Sequence, residues 1–265
     1  MSEVVKSAEA AARIFGLEPR RGFRSLRQLR TFARQRREYL KQGQRGGEEL
    51  FPMGRLYPCL DDVYETAGVA KGHYFHQDLH VARRIFQRSP RRHVDVGSRV
   101  DGFVAHVAAF RDIEVFDIRE LQSLPGITFS KWDAMYDALP ANYADSVSCL
   151  HALEHFGLGR YGDTVDYHGH LKGLDNLVQV VQPGGVLYLS VPIGPQRTEF
   201  NAHRVLSPRY VLELAEKHSL SLLAFSYIDD QGDFHGDVEV TEDGLASHFG
   251  CTYGCGIFEL RKPAG

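Results

Sequence analysis

From residue 93 onward, short apolar runs alternate with apolar stripes at helical spacing. The run HVDVG (93–97) predicts a short buried strand that ends in a glycine turn. Phe103, Val104, Val107 and Ala108 then fall on one side of a helix. IEVFDI (113–118) and ITFS (127–130) predict a second and a third strand, and ADSVSCLHAL (144–153) contains a fourth. Leu171, Leu174, Leu177, Val178 and Val181 make the next helical face, which QPGG (182–185) ends. GVLYLSVP (185–192), SLLAFSYI (221–228) and YGCGIFELRK (253–262) predict the remaining strands. SPRYVLELAEKH (207–218) predicts a helix with Ser207 as N-cap and Pro208 at its first position. Residues 229–252 are expected to be loop. This alternation argues an α/β fold: a doubly wound, Rossmann-like, seven-stranded and mostly parallel sheet, with the last strand inserted antiparallel.

Residues 1–54 differ in character and are expected to form a basic helical N-terminal extension to an α/β domain over 55–265. Arg20 to Arg45 hold ten basic residues and one acid, Glu38, while Phe23, Leu26, Leu29, Ala33 and Leu40 can form an apolar helical stripe. The plainer reading is a solvated helix packed on the domain. The functional one is a patch for an anionic partner, such as a phospholipid surface or a nucleotide-sugar. Residues 42–60 read as linker and loop.

Composition narrows the classes. A 265-residue chain, 43% hydrophobic and 25% charged, suits one large domain with an appendage. Its net charge of −3 gives no global pull toward nucleic acid or membrane. No apolar run approaches a membrane span, and MSEVVKSAEAAARIF lacks a secretory pattern, so a cytoplasmic location is expected. Four cysteines are too few for a disulfide scaffold. Cys251 and Cys255 lack zinc-knuckle spacing and read as reduced thiols on one face of a late strand. Oligomeric state is not legible.

The turn after the first strand carries the chemistry. In the dinucleotide fingerprint G-x-G-x-x-G, a second glycine lets backbone approach a pyrophosphate. Here Gly97 and Gly102 fit, but Arg99 holds the middle place and Asp101 would sit near an anion. S-adenosylmethionine has no phosphate and carries a positive sulfur, so acids such as Asp95 help rather than repel. Asp117 ends the second strand 22 positions after Asp95 and can accept from both ribose hydroxyls. Asp133, in KWDAM, is placed to accept from the adenine amino group.

Asp95-x-Gly97, Asp117, Asp133, DSVSCLHALEH (145–155) and QPGGVLYLSVP (182–192) together resemble a class I S-adenosylmethionine-dependent methyltransferase. More narrowly, LEHFGLGRYGD (153–163), FNAHRVLSP (200–208) and YGCGIFELRK (253–262) resemble domain-of-unknown-function family two-six-eight. Its bacterial members are associated with polysaccharide biosynthesis. The resemblance spans roughly residues 55–262. It departs from the methyltransferase pattern where Arg99 and Asp101 replace glycines. It implies a cofactor site of Asp95, Gly97, Ser98, Asp117, Ile118, Asp133, Ala134 and His151.

A hydroxyl acceptor benefits from a positioned base. His155, oriented by Glu154 just after strand four, is the first candidate, and His203 is the second. The glycine-rich segment 157–170 lies where a substrate lid would be, with Arg160, Tyr161 and Asp163 as binding groups. Asn201 and Arg204 join them from the next loop. Glu154, His155, Asp163, His168, His170 and His203 share one region without recognised ligand spacing, so no metal is assigned.

The leading expectation is methyl transfer to a small-molecule hydroxyl of a sugar, nucleotide-sugar or surface glycan. The alternative is a non-catalytic protein of the same fold that binds a glycan enzyme or an anionic surface. A nicotinamide oxidoreductase is disfavoured by Arg99. A nucleic-acid methyltransferase is disfavoured because LHALEH lacks the Asn/Asp-Pro-Pro-aromatic signature.

Overall fold

The computed structural model of the chain describes residues 19–46, 51, 53–64 and 66–264. The N-terminal stretch read for a secretory signal, and linker positions 47–50 and 52, lie outside the described residues. The chain divides into two compact units, one ending at Val69 and one beginning at Ala70. The first contains helix α1 (Pro19–Gly46) and a single helical turn, Asp62–Tyr64. Gln28 Nε2 donates to the Tyr64 hydroxyl at 2.7 Å. Of the proposed apolar stripe, Leu29 and Ala33 are exposed and Leu40 is half-buried, while the side chains of Phe23 and Leu26 lie outside the described residues. Among the described residues, no helix is long and apolar enough to cross a membrane.

The second unit is a sheet with helices on both faces. Its strands are β1 (His93–Val96), β2 (Ile113–Asp117), β3 (Ile127–Lys131), β4 (Ala144–Leu150) and β5 (Val181–Ile193). After a hairpin of β6 (Arg197–Glu199) and β7 (His203–Val205) come β8 (Ser221–Ile228), β9 (Phe234–His235) and β10 (Gly254–Arg261). The order is β3-β2-β1-β4-β5-β10-β8-β9. Strands β1 to β5 pair in parallel, and β10 enters antiparallel between β5 and β8. The eighth strand is the two-residue β9, from the segment expected to be loop. That segment also holds a short helix (Glu242–Ala246) capped by Thr241, whose side chain accepts from the Gly244 amide. Both are too short for periodicity to reveal.

Helices α2 (His73–Arg88) and α3 (Ala105–Ala108, entered through a π-helical turn at Val100–Val104) cover one face. Helices α4 (Gly169–Val180) and α5 (Pro208–Lys217) cover the other. Period-2 alternation sorts the strand residues between two cores. Val94, Val147, Leu187 and Phe258 meet the α4–α5 layer, while Ile113, Val115, Tyr188 and Ile257 meet α2 and α3. Two cysteines expected to share a strand face do not: Cys251 lies before β10 and joins the first core, while Cys255, within β10, joins the second. Ser207 has extended N-cap backbone, but its side chain makes no capping bond. Pro208 opens α5 as expected.

Candidate functional site

The carboxyl-end tips of β1, β2 and β4 surround a crevice of about 280 Å³, where open parallel sheets place ligands. Gly97 turns the chain at φ +74°, and a Cβ there would lie 2.9 Å from the Ala152 Cβ. A side chain at this position is therefore excluded twice, by backbone strain and by the wall opposite. Gly97, Asp117, Ile118, Asp133, Ala134, His151, His155, Tyr161 and Asp163 all line the crevice. Phe116 and Trp132 meet edge to face, 5.8 Å between ring centres, and with Met135 and Phe156 give it apolar walls.

Two expected cofactor contacts lie elsewhere. Asp95 is fully buried beneath the turn, and Ser98 is buried beside it. The Ser98 amide donates to Asp95 at 3.0 Å, and the Ser98 and Ser148 hydroxyls each donate at 2.6 Å. With its proton spent on Asp95, Ser148 accepts from His93 Nε2 (3.2 Å), which leaves His93 Nδ1 to accept from Ser146 (2.8 Å). Burial pushes Asp95 up to about 6 and His93 down to about 3. Asp95 thus shapes the glycine turn from below rather than facing the ligand.

Arg99 does not fill the crevice. Its guanidinium folds back on Asp101, at 3.1 and 2.9 Å, and lies over the Tyr74 ring at 4.8 Å. Asp117 carries a similar clamp. Arg119 donates to its two oxygens at 2.9 and 2.6 Å, its amide adds a third bond at 2.8 Å, and its guanidinium lies over Tyr161. Asp133 accepts from the Met135 amide at 2.9 Å, which fixes the carboxylate at the crevice edge.

The expected pairing of Glu154 with His155 is replaced by another. Glu154 is buried, and its Oε1 accepts from His151 Nδ1 at 2.8 Å, whereas His155 Nε2 stands 3.7 Å away. The cause is the chain path: His151 adopts φ +50°, which turns its ring back over the Leu153–His155 turn. His155 Nδ1 instead donates to the Ala202 carbonyl at 2.7 Å, so Nε2 carries the free lone pair. Burial lowers the His155 pKa, partly opposed by the Glu154 charge.

The remaining candidates scatter. His203 lies on β7, against Tyr253 and 3.3 Å from Glu199, and does not line the crevice. Arg204 is buried and donates to the Phe156 carbonyl at 2.7 Å, with longer bonds to those of Glu154 and Tyr167. It is a strut for the segment 154–167, not an open binding group. Arg160 is exposed and donates to Ala202 O, and Asn201 is exposed. Asp163 accepts from the amides of Gly157, Gly159 and Tyr161, so it ties the glycine-rich loop together while one side reaches the crevice. His170 bonds Tyr210 at 3.0 Å on the far side of that loop.

Sequence reasoning missed Tyr74, Phe116, Arg119, Trp132 and Met135. Tyr74 belongs to α2, which the reading passed over. Phe116, Trp132 and Met135 have the residue types of ordinary core. Arg119 alone had a signal, a cation two positions past a strand-end acid.

Residues 108–218 match the model of a family described as Caenorhabditis protein of unknown function, DUF268. No curated protein matches the sequence. Among solved structures, the [4+2]-cyclase SpnF is 16% identical, covering 73% of this chain and 84% of its own, with a TM-score of 0.50. A protein provisionally described as a sarcosine dimethylglycine methyltransferase, from Galdieria sulphuraria, is 13% identical over 71% of this chain and 86% of its own, with a TM-score of 0.51. At such identities the likeness is one of fold. The chain has the class I methyltransferase fold, on which more than one chemistry is built.

Proposed function

We propose that the protein is a methyltransferase that binds S-adenosylmethionine in the crevice over β1, β2 and β4. The observation that carries this reading is the pair of carboxylates, Asp117 and Asp133, at the lip of an apolar crevice closed by the Gly97 turn. Neutral hydroxyls and an amino group suit those acceptors, and a diphosphate does not. The two nearby arginines are each already held by an acid two positions away. Asp117 would take the ribose hydroxyls and Asp133 the adenine amino group, with Phe116, Trp132 and Met135 against the ring.

When bound, S-adenosylmethionine supplies an electrophilic methyl group on a positive sulfur. The chain's own contribution is placement and proton handling. His155 presents a lone pair at Nε2, is kept unprotonated by burial, and has Glu154 close enough to stabilise the imidazolium after it takes a proton. An acceptor hydroxyl is the group that needs such a base. Exposed Tyr161, with Asp163 beside it, gives the outer crevice the aromatic and polar surface that suits a sugar or nucleotide-sugar. A glycan role rests on the family resemblance alone.

Calorimetric titration with S-adenosylhomocysteine tests the first step. Saturable one-to-one binding is expected, with no competition from nicotinamide dinucleotides. A folded protein that binds the dinucleotide and not the thioether overturns the reading. With an acceptor that supports turnover, His155→Ala should slow methyl transfer by about 10²- to 10⁴-fold and leave thioether affinity nearly unchanged. Undiminished turnover would remove His155 as the base. Binding without transfer to any hydroxyl would favour another reaction on this fold.

A further inference from the structure

His73, His151 and Cys255 come from three distant stretches of sequence: the start of α2, the end of β4 and the start of β10. One nitrogen from each histidine and the cysteine sulfur all lie within 4.8 Å of one another. The two imidazoles are parallel, 5.2 Å between ring centres. Cys255 is fully buried, and the His151 side chain is 5% exposed.

His151 is held as a ligand would be. Glu154 accepts from its Nδ1 at 2.8 Å, which fixes the tautomer and leaves the Nε2 lone pair directed at the cluster. That Nε2 is buried and has no hydrogen-bond partner. Buried polar atoms are nearly always hydrogen-bonded, so an orphan of this kind calls for an explanation. The Cys255 thiol has long contacts with Gln77 Oε1 at 3.5 Å and the Gly256 carbonyl at 4.0 Å.

We propose that His73, His151 and Cys255 bind a zinc ion, with a fourth position open toward the crevice. Two imidazole nitrogens and a thiolate match the donor preference of zinc, and three protein ligands with one vacancy is the pattern of its catalytic sites. Bond lengths of about 2.0–2.1 Å to nitrogen and about 2.3 Å to sulfur require the three donors to draw slightly together. His151 belongs to both the cluster and the crevice wall, and Tyr74, next to His73, lines the same wall. The vacancy therefore suits an oxygen of the acceptor, whose proton the metal would loosen. That role rests on the methyl-transfer reading, whereas the metal site itself does not.

The competing account of the same atoms is a thiol nucleophile, with His151 as its base and Glu154 orienting it. It is disfavoured because Cys255 has no exposed surface and because His73 would have no part.

The test uses the full chain, dialysed against a chelator and then given zinc or cobalt(II). The expected result is about one zinc per chain by elemental analysis. Cobalt should produce a thiolate-to-metal charge-transfer band and visible bands that shift when azide fills the vacancy. Cys255→Ser should abolish the charge-transfer band, and His73→Ala should lower retained zinc at least tenfold. His73 is half-buried at a helix start, so that variant is expected to stay folded by circular dichroism. Binding of S-adenosylhomocysteine is measured in parallel: metal without thioether binding would sink the methyl-transfer reading alone, and the converse would sink the metal alone. Wild-type protein without zinc, zinc retained by both variants, or rapid alkylation of Cys255 in the metal-free wild type with no zinc uptake would each overturn the proposal. Cobalt bands indifferent to azide would overturn the open position.

Discussion

Asp117→Ala is expected to weaken S-adenosylhomocysteine binding by about 30- to 150-fold. Two ribose hydroxyls donating to one carboxylate are charge-assisted bonds, and losing both corresponds to about 2–3 kcal/mol after solvent exchange. The starting state of Asp117 is unusual, because Arg119 already occupies both of its oxygens. Ligand hydroxyls must share the carboxylate with that guanidinium or displace it. Arg119→Ala is therefore expected to tighten binding severalfold, since about half the Arg119 side chain is exposed and its ion pair is weak in water. The two variants moving affinity in opposite directions, read by calorimetry, is the signature of competition at one carboxylate. If Asp117→Ala leaves affinity intact, the ribose is held elsewhere.

Glu259→Ala is expected to cost about 2–4 kcal/mol of folding stability, a fall in melting temperature of roughly 5–15 °C. Glu259 lies in the middle of β10 with 2% of its side chain exposed. His80, Arg84 and Arg88 stand at i, i+4 and i+8 on α2, so they form one stripe above it. Arg84 Nε is 2.9 Å from Oε1, Arg88 Nη2 is 2.6 Å from Oε2, and His80 is 3.8 Å away. Removing the acid leaves two guanidinium groups and an imidazole facing a hole. The cost stays below that of a fully buried pair because the arginine side chains are 24% and 33% exposed and can rehydrate. Burial acts to raise the Glu259 pKa, but the His80 bond and the two arginine charges outweigh it, so the folded value is below the ordinary 4.5. The stabilisation is thus complete above the unfolded value and is lost as pH falls through the lower, folded one. The variant should show a shallower acid limb in a stability-against-pH series. Equal slopes would mean that the ion cluster does not hold α2 to the sheet.

Much of this architecture was legible. The strands from β1 to β5, β8 and β10 are buried runs bounded by turn residues, and burial on both faces writes itself into sequence as unbroken apolar stretches. Helix α2 was not, because histidines and aromatics blur the stripe of Val81, Ala82 and Ile85. Yet α2 supplies Tyr74 and His73, so part of the site vanished with it. The acids at strand tips could be found by spacing, but not their directions. Asp95 and Asp117 look equivalent in sequence, and only the glycine turn decides that one lies underneath and the other at the rim. Glu154 was linked to its neighbour when its partner sits three positions back, because the positive φ of His151 has no mark in the residue type.

The position of β10 bears on biogenesis. It lies between β5 and β8 but follows both in the chain. A nascent polypeptide that has emerged only as far as residue 253 therefore carries two facing strand borders with nothing between them. Such borders recruit foreign strands, and their closure requires contacts across long stretches of sequence, which form slowly. Ribosomal stalling in the interval 229–253 would leave this protein most dependent on chaperones, and the sulfur of Cys255 would join its two histidines only once that gap had been filled.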